Sequence, residues 1–232
     1  MSFTPQKVIN AARRRHPALS TVLLDDEQIV DDFNAAVDEV VAKVLEHNEM
    51  LLAAKSDSLA ITGADDSQED LNFTTGELLR ILDMDCTKSA ARKKVILKDL
   101  RHRDTIVAEF TDDGRPVGSI LWNPTNGRWD IWELTGWTGV TALWAYGVFK
   151  PTKVTTASLV TAMKVPESFF LPLTTYMALL LGQRADLDQG WVQIQGQAIA
   201  SAVSGLVGKT VKFSEFVMAA PKPGQPAAAR QQ

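Results

Sequence analysis

Hydrophobic residues recur at helical spacing near both ends of the chain. Thr4-Pro5 is a typical helix start, and the apolar stripe after it predicts a short helix that ends before Pro17. Apolar residues recur every three or four positions from about residue 25 to residue 54, which predicts the longest helix of the chain. Helical spacing returns after Pro166 in two segments separated by residues 182-188, and this predicts an αα-hairpin.

The middle of the chain has a different pattern, in which short β-prone runs alternate with turn residues. Asn123-Pro124-Thr125-Asn126-Gly127 is the clearest of these turns. Such a succession predicts an antiparallel meander. Its predicted strands are 77-83, 93-99, 105-110, 117-122, 128-134 and 140-149.

The order of these elements predicts an α+β fold. N-terminal helices and a C-terminal helical hairpin would form a bundle, with the meander inserted between them and an extended arm at the C-terminus. An acidic segment without periodicity is interpreted as a linker between helix and sheet. The predicted parts are residues 1-61 (N-terminal helices), 62-76 (acidic linker), 77-164 (β insertion), 165-208 (helical hairpin) and 209-232 (extended tail).

Composition narrows the class of protein. Of the 232 residues, 45% are hydrophobic and 22% are charged, as in soluble globular proteins. Cys86 is the only cysteine, so an intramolecular disulfide and a cysteine-rich zinc site are excluded and a reducing, intracellular setting is favoured. We expect neither a secretory signal at the N-terminus nor a membrane span, because the longest apolar stretch is interrupted by Pro172.

Charge is distributed unevenly along the chain. Residues 25-70 contain 14 acidic and 2 basic residues, a local net charge of −12. This is either a solvated helix face or a functional acidic surface, and it would repel a polyanion. Arg13, Arg14 and Arg15 fall in the last turn of the first helix, where the helix dipole favours cations; a phosphate-binding patch is the alternative.

A second basic cluster lies beside the predicted meander and lacks adjacent aromatic residues. Edge-strand protection or an intersubunit charge contact is therefore favoured over RNA binding. Its members are Arg92, Lys93, Lys94, Lys98, Arg101 and Arg103.

Motifs of enzymes and cofactor sites are not recognised. Gly205-Leu206-Val207-Gly208-Lys209-Thr210 imitates the end of a phosphate-binding loop, but its first glycine is missing and the segment closes a helix instead of opening one. The three histidines are not at metal-ligand spacing, and Cys86 has an acidic neighbour that disfavours a nucleophilic role. We therefore predict a protein that is not an enzyme and has no catalytic residues, metal or cofactor.

The distribution of tryptophan is the most unusual feature of the sequence. Five of the six tryptophans lie in one segment of 23 residues, 122-144, inside the predicted sheet. Strand alternation places tryptophans on both faces of the run 128-134. Core packing, a protein interface and a ligand-stacking platform are all compatible with this pattern. The candidate interface aromatics are Trp122, Trp129, Trp132 and Trp137.

The layout of the chain resembles the head-to-tail connector (adaptor or neck) proteins of tailed bacteriophages. The segments that carry the resemblance are Thr4-Pro5-Gln6-Lys7-Val8-Ile9-Asn10-Ala11-Ala12, the meander over 76-150, the helices introduced by Val165-Pro166-Glu167-Ser168, and the tail after Lys209. The resemblance implies a virion protein, made in the bacterial host cytoplasm, that forms a ring of about twelve copies beneath the portal. Such a ring joins capsid to tail and lines the channel for genome ejection.

The same resemblance implies the partners and roles of particular residues. Its partners would be the portal protein, tail or neck proteins and passing double-stranded DNA bound without sequence specificity, with no membrane involved. Candidate channel-facing acids are Asp31, Asp32, Asp38 and Glu39, and candidate portal-binding residues are Val211, Phe213, Phe216, Val217 and Met218. The alternative function is a protein- or carbohydrate-binding module that uses the tryptophan-rich sheet.

Overall fold

A computed structural model describes residues 3–22, 24–65, 67–99 and 114–216. The chain divides into two compact units, and each is described by itself. The β unit comprises Met1–Phe3, Val44–Val154 and Thr161–Glu167, and the helical unit comprises Thr4–Lys43, Thr155–Val160 and Ser168–Gln232.

The described residues form five α-helices and four short 3-10 helices. The α-helices are α1 Pro5–Arg13, α2 Pro17–Ser20, α3 Asp26–Asn48, α4 Phe170–Arg184 and α5 Gln189–Val207. The 3-10 helices are Glu49–Leu52, Thr156–Ser158, Glu167–Phe169 and Phe213–Glu215. None of the described helices is long and apolar enough to cross a membrane.

The strands that the structure describes lie in two sheets. They are β1 Ala53–Lys55, β2 Leu59–Ala60, β3 Ser67–Asp70, β4 Glu77–Lys88, β5 Ala91–Lys94, β6 Ile96–Leu97, β7 Val117–Asn123, β8 Arg128–Thr135 and β9 Val140–Lys150. One sheet has the order β1-β9-β4-β5, with β2 also paired to β9, and the other has the order β3-β8-β7-β6. Among these described strands, every pairing is antiparallel except that of β6 with β7.

The predicted fold class, a helical bundle with a C-terminal hairpin and an inserted meander, is wrong. The chain is a mixed α/β protein with curled antiparallel sheets, and about 27% of it is strand. The difference begins at Asn48, where α3 ends instead of continuing to Ala54. The next residues form a 3-10 turn and then pair as β1 with β9, so chain assigned to helix contributes to a sheet.

The interpretations of the meander and of the acidic linker also need correction. β9 does not pair with its sequence neighbour β8; it pairs with β4 over ten register positions from Glu77↔Lys150 to Lys88↔Val140. Within the predicted linker, Ser67–Asp70 forms strand β3, which pairs with β8. Local turn chemistry predicted the strands, whereas the partner of each strand depends on distant residues.

The core of the β unit lies between the inner faces of the two sheets. β9 shows the alternation expected of such a strand, since Leu143 and Ala145 are fully buried and Trp144 between them is half-exposed. β5 and β6 are separated only by Val95, whose N–H donates to Met84, so one run of chain passes from the first sheet into the second. The buried core residues are Leu71, Phe73, Leu78, Met84, Cys86, Val95, Ile131, Trp137, Val140, Leu143, Ala145 and Phe149.

The helical unit is built around α4. Pro172 to Gly182 is buried without interruption, because α4 packs against α1, α2 and α5. The Thr4 side chain caps α1 by accepting from the N–H of Lys7, and α1 buries Val8 and Ile9. The N–H of Trp191 donates to Asp188, which caps α5.

Several predictions concern residues outside the described ones. They are the strand 105-110, the basic residues Arg101 and Arg103, the candidate portal-binding residues Val217 and Met218, and the tail from residue 217 to 232.

Candidate functional site

Trp137 is a core residue of the β unit and not an interface aromatic. Its side chain is fully buried, and its indole Nε1 donates to the carbonyl of Val117 at 2.7 Å. Its backbone N–H donates to Asp65 Oδ1 at 2.7 Å. Both bonds occupy the polar groups of Trp137 within the fold, so the expectation that it faces a partner is corrected.

Trp122 and Trp129 form an exposed aromatic pair. They are direct neighbours across β7 and β8, and their ring centroids lie 5.3 Å apart at an interplanar angle of 72°. Trp122 is 50% exposed, and Trp129 is half-buried. Trp132 lies on the opposite face of β8, so the structure brings together only two of the four predicted aromatics.

A groove of about 590 Å³ lies beside Trp129 in the β unit. The indole Nε1 of Trp129 is buried and has no hydrogen-bond partner among the described residues, so it is an unused donor. The groove is bounded by two cations, one carboxylate and several aliphatic side chains. Its lining is Leu79, Arg80, Ile81, Leu97, Lys98, Asp99, Ser119, Ile120, Leu121 and Trp129.

A second aromatic pair on β9 was missed as a group by sequence reasoning. The Lys55 ammonium lies 5.4 Å from the ring centroid of Trp144 and 5.7 Å from that of Tyr146. The Arg92 guanidinium approaches the same rings at 5.5 and 6.0 Å and donates to the Tyr146 hydroxyl at 2.6 Å. The i, i+2 spacing of Trp144 and Tyr146 in a strand was the available signal.

Two of the basic residues on β5, Arg92 and Lys94, bind carboxylates of the neighbouring strand β4. Arg92 Nε donates to Asp85 at 2.8 Å, and Lys94 Nζ donates to Asp83 at 2.5 Å. The bond from Lys94 lowers the pKa of Asp83. β5 is the last of the described strands in the order of its sheet, so these cations lie where the sequence predicts edge-strand protection.

The four candidate acids of α3 do not form one surface. Asp32 is only 8% exposed and accepts two bonds from Arg184, from Nε and from Nη2, both at 2.6 Å. Asp31 is exposed, whereas Asp38 and Glu39 are half-buried and have interaction partners. The assignment of Asp32 to a channel wall is therefore corrected: it is an internal ion-pair residue.

The candidate portal-binding residues that the structure describes are folded onto the helical unit. Val211 and Phe216 are 4% and 5% exposed, and the Phe216 ring lies 6.0 Å from that of Tyr176. Phe213 covers Gly196 so closely that a Cβ there would lie 2.4 Å from its Cζ. Val211 and Phe216 are therefore packing residues that are not available to a partner, whereas Phe213 packs on Gly196 and is half-buried.

Glu133 is a buried carboxyl group that sequence reasoning missed. It is fully buried on β8, and it accepts from Ser67 Oγ at 2.5 Å and from the N–H of Ala64 at 2.9 Å. Its Oε1 has no partner among the described residues. Burial raises the pKa of Glu133, and the charges of Glu69 and Asp65 raise it further.

Cys86 is buried in the β-unit core. Burial raises the pKa of its thiol to about 11, and the charge of Asp85 acts in the same direction. A thiol with this pKa is a poor nucleophile at neutral pH, in agreement with the passive role predicted for it.

The outer face of α5 carries no charge. None of the 19 residues from Gln189 to Val207 is Asp, Glu, Lys or Arg. Four of its exposed residues repeat at every fourth position, and the adjoining Ile194, which is 63% exposed, belongs to the same exposed stripe. The stripe, called here the uncharged face, consists of Gln193, Ile194, Gln197, Ser201 and Gly205.

Comparison with known proteins adds no family assignment, since no protein-family model matches the chain and no curated protein is significantly similar to it.

Proposed function

We propose that this protein is a structural virion protein, a head-to-tail connector adaptor. It assembles into a ring beneath the portal, joins the capsid to the tail and surrounds the path of the DNA. The proposal builds on the resemblance in layout. It is supported by the division of the chain into two compact units, in which segments near both ends of the chain belong to the same helical unit.

The observation that carries the proposal is the uncharged face of α5. Charged residues are depleted at the centres of protein interfaces, whereas a solvated helix face normally carries them. Here a 19-residue helix presents amides, small residues and the apolar Ile194 to its surroundings. We assign this face to contact with a second copy of the chain, in a head-to-tail interface that closes by rotation.

The role of the acidic helix follows from its exposed positions only. Asp31 can repel passing DNA, because its side chain is exposed. Asp32 has to be left out of any charge-reversal test, since a lysine there would face Arg184 and disrupt the fold. Asp31→Lys is therefore the informative change, with hindered genome passage as the expected result.

Portal attachment is assigned to the chain beyond Phe216. A deletion that begins at residue 210 would remove Val211 and Phe216 from the core of the helical unit and destabilise it. Deletion of residues 217-232 keeps Val211 and Phe216, the buried residues of this segment that the structure describes. We expect this shorter deletion to abolish portal binding without changing the circular dichroism spectrum.

Mass photometry of the purified protein, alone and with a candidate portal ring, tests the proposal. We expect the protein to form a ring or to join the portal in about twelve copies. Ile194→Glu together with Ser201→Glu should prevent this assembly, because two carboxylates would be desolvated at the contact. Val160→Glu is the matched control, since Val160 is 74% exposed in the same unit but lies outside the uncharged face. A wild-type monomer that ignores the portal, or assembly by the double variant, contradicts the proposal.

A second candidate function is carbohydrate binding at the Trp122 and Trp129 pair. The observation that favours it is an exposed tryptophan edge beside a groove with an unused indole donor. Calorimetric titration with a panel of short oligosaccharides tests it. Saturable binding that is lost in Trp122→Ala and retained in Trp144→Ala supports this function, and the absence of saturable heat with every sugar refutes it.

A further inference from the structure

A small cavity lies in the helical unit where α1 gives way to α2. Its volume is about 400 Å³. No carboxylate is among its described lining residues, although acidic residues outnumber basic ones in the whole chain. The lining consists of Asn10, Arg13, Arg14, His16, Pro17 and Ser20.

Two arginines in this cavity have unused hydrogen-bonding capacity. Arg13 Nε is buried and has no acceptor among the described residues, and Arg14 is exposed, so its guanidinium is open to a ligand. The third arginine of the run is different, because Arg15 donates to Gln195 Oε1 at 3.3 Å. A buried, unpaired charged donor is costly, so its retention points to an acceptor that binds there.

Neighbouring side chains are held in place and add donors. The Ala18 N–H donates to His16 Nδ1 at 3.2 Å, which leaves the ring proton on Nε2. The His16 ring also meets the Trp191 ring edge-on, with centroids 5.9 Å apart. Asn10 Oδ1 accepts from Gln6, so the Asn10 amide nitrogen stays available to donate.

The helix dipole explains only part of this arrangement. Cations in the last turn of α1 are favoured by the partial negative charge at the helix end. A solvated arginine would satisfy that preference equally well. The dipole does not account for a buried Nε without an acceptor, or for a cavity whose described lining has two guanidinium groups and no carboxylate.

We propose that this cavity is a phosphate-binding site. Arg13 would hold two phosphate oxygens through its planar fork, and Arg14 and His16 would donate to the remaining ones. The phosphate belongs either to a small phosphorylated compound or to the backbone of DNA. The inference goes beyond the proposed connector function and does not depend on it, because it rests on the α1–α2 corner alone.

Binding is tested with two probes on the full chain. Isothermal titration calorimetry with pyrophosphate measures the binding of a small phosphorylated compound. Fluorescence anisotropy with a labelled DNA duplex measures the binding of a DNA backbone. Saturable binding in either arm is the expected result. A duplex that binds and is displaced by pyrophosphate identifies the DNA backbone, whereas pyrophosphate binding without duplex binding identifies a small compound.

Arg13→Gln and Arg15→Gln form a matched pair, because each removes one positive charge from the same run. We expect Arg13→Gln to weaken binding about tenfold or more, and Arg15→Gln to change it by about twofold or less. Arg13→Lys keeps the charge without the fork and should lie between them. Thermal melts of each variant establish that the fold is retained. Equal weakening by Arg13→Gln and Arg15→Gln, or no saturable binding of either probe, overturns the proposal.

Discussion

The ion pair between Asp32 and Arg184 offers the sharpest test of the helical unit. It joins α3 to the end of α4 by two bonds of 2.6 Å in a bidentate geometry. The exposed fractions of the two side chains are 11% for Asp32 and 31% for Arg184. Asp32→Asn removes the negative charge while keeping the size of the side chain, so the variant measures the charge interaction with little change in packing.

The expected cost lies between two limits. Breaking a fully buried pair costs about 3–5 kcal/mol, because it leaves an uncompensated charge. An exposed pair contributes about 0–1 kcal/mol. Since water still reaches about a third of Arg184, we expect Asp32→Asn to lower the free energy of unfolding by about 2 kcal/mol. That change shifts the urea midpoint by about 1 M at a slope near 2 kcal/mol per molar.

Urea unfolding followed by circular dichroism at a helix wavelength is the assay. Asp31→Asn is the control, because Asp31 is the exposed neighbour on the same helix and its substitution should cost no more than about 0.5 kcal/mol. A double-mutant cycle with Arg184→Met isolates the pair itself. Equal stability losses for Asp31→Asn and Asp32→Asn, or strict additivity in the cycle, would refute the internal role of Asp32.

Three further predictions concern the β unit and α5. Hydrogen bonds from Thr74 and Thr75 outweigh burial and lower the pKa of Asp57 from 3.8 to about 2. The contribution of Asp57 to stability should be complete above pH 3.8 and lost as the pH falls towards 2. In Asp57→Asn, the free energy of unfolding should therefore depend less on pH in that range than in the wild type, and an unchanged pH dependence contradicts this. The pKa of Glu133 is raised instead, so the free energy of unfolding should fall as the pH rises above 4.5. In chemical denaturation, Glu133→Gln should be about 1 kcal/mol more stable than the wild type at pH 7 and should lack this pH dependence. A Cβ on Gly147 would lie 2.3 Å from the Arg80 carbonyl oxygen, so Gly147→Ala should destabilise by about 1–3 kcal/mol in urea unfolding. Gly205→Ala, where a Cβ meets nothing within 4 Å, should stabilise by about 1 kcal/mol; two changes of the same sign would contradict the close approach of β9 to β4.

Turn chemistry explains which strands the sequence could predict. The predicted strands 117-122, 128-134 and 140-149 are confirmed to within one residue as β7, β8 and β9. Between β7 and β8, side-chain oxygens of Asn123 and Asn126 accept from nearby backbone N–H groups, and Gly127 takes a positive φ of 66°. These interactions lie within a few residues of one another, so they are visible in the sequence.

Strand partners could not be predicted, because they depend on contacts across long stretches of chain. β3 is polar and lacks the alternation of a half-buried strand. It becomes a strand because it pairs with β8 and because Ser67 bonds to the buried Glu133. The apolar spacing after Asn48 likewise predicts helix, but in the structure Ala53–Lys55 is a strand because it pairs with Tyr146–Val148 of β9.

The C-terminal segment shows the same limitation in the opposite direction. A run with Pro and Gly after residue 220 predicts an extended arm, but the sequence alone does not show whether the residues before this point pack on the helical unit. The structure places the buried residues Val211 and Phe216 before that point, and Ser204 Oγ accepts from the Val211 N–H at 2.8 Å. Aromatic residues near a terminus are therefore ambiguous between an anchor for a partner and a lid for their own core.

The acids of α3 show why charge counting alone overstated a repulsive surface. Adjacent helix positions point about 100° apart, so Asp31 and Asp32 cannot both face outward in the same direction. Which of them turns inward is decided by Arg184, 152 residues away. Asp25 has a local role, since it accepts a hydrogen bond from the N–H of Gln28 at 2.7 Å. Asp26 and Glu27 lie in the first turn of α3, where the helix dipole favours acidic residues. Any repulsion of DNA by this part of α3 therefore depends on few exposed side chains, among them Asp31, whose charge also acts on Arg184.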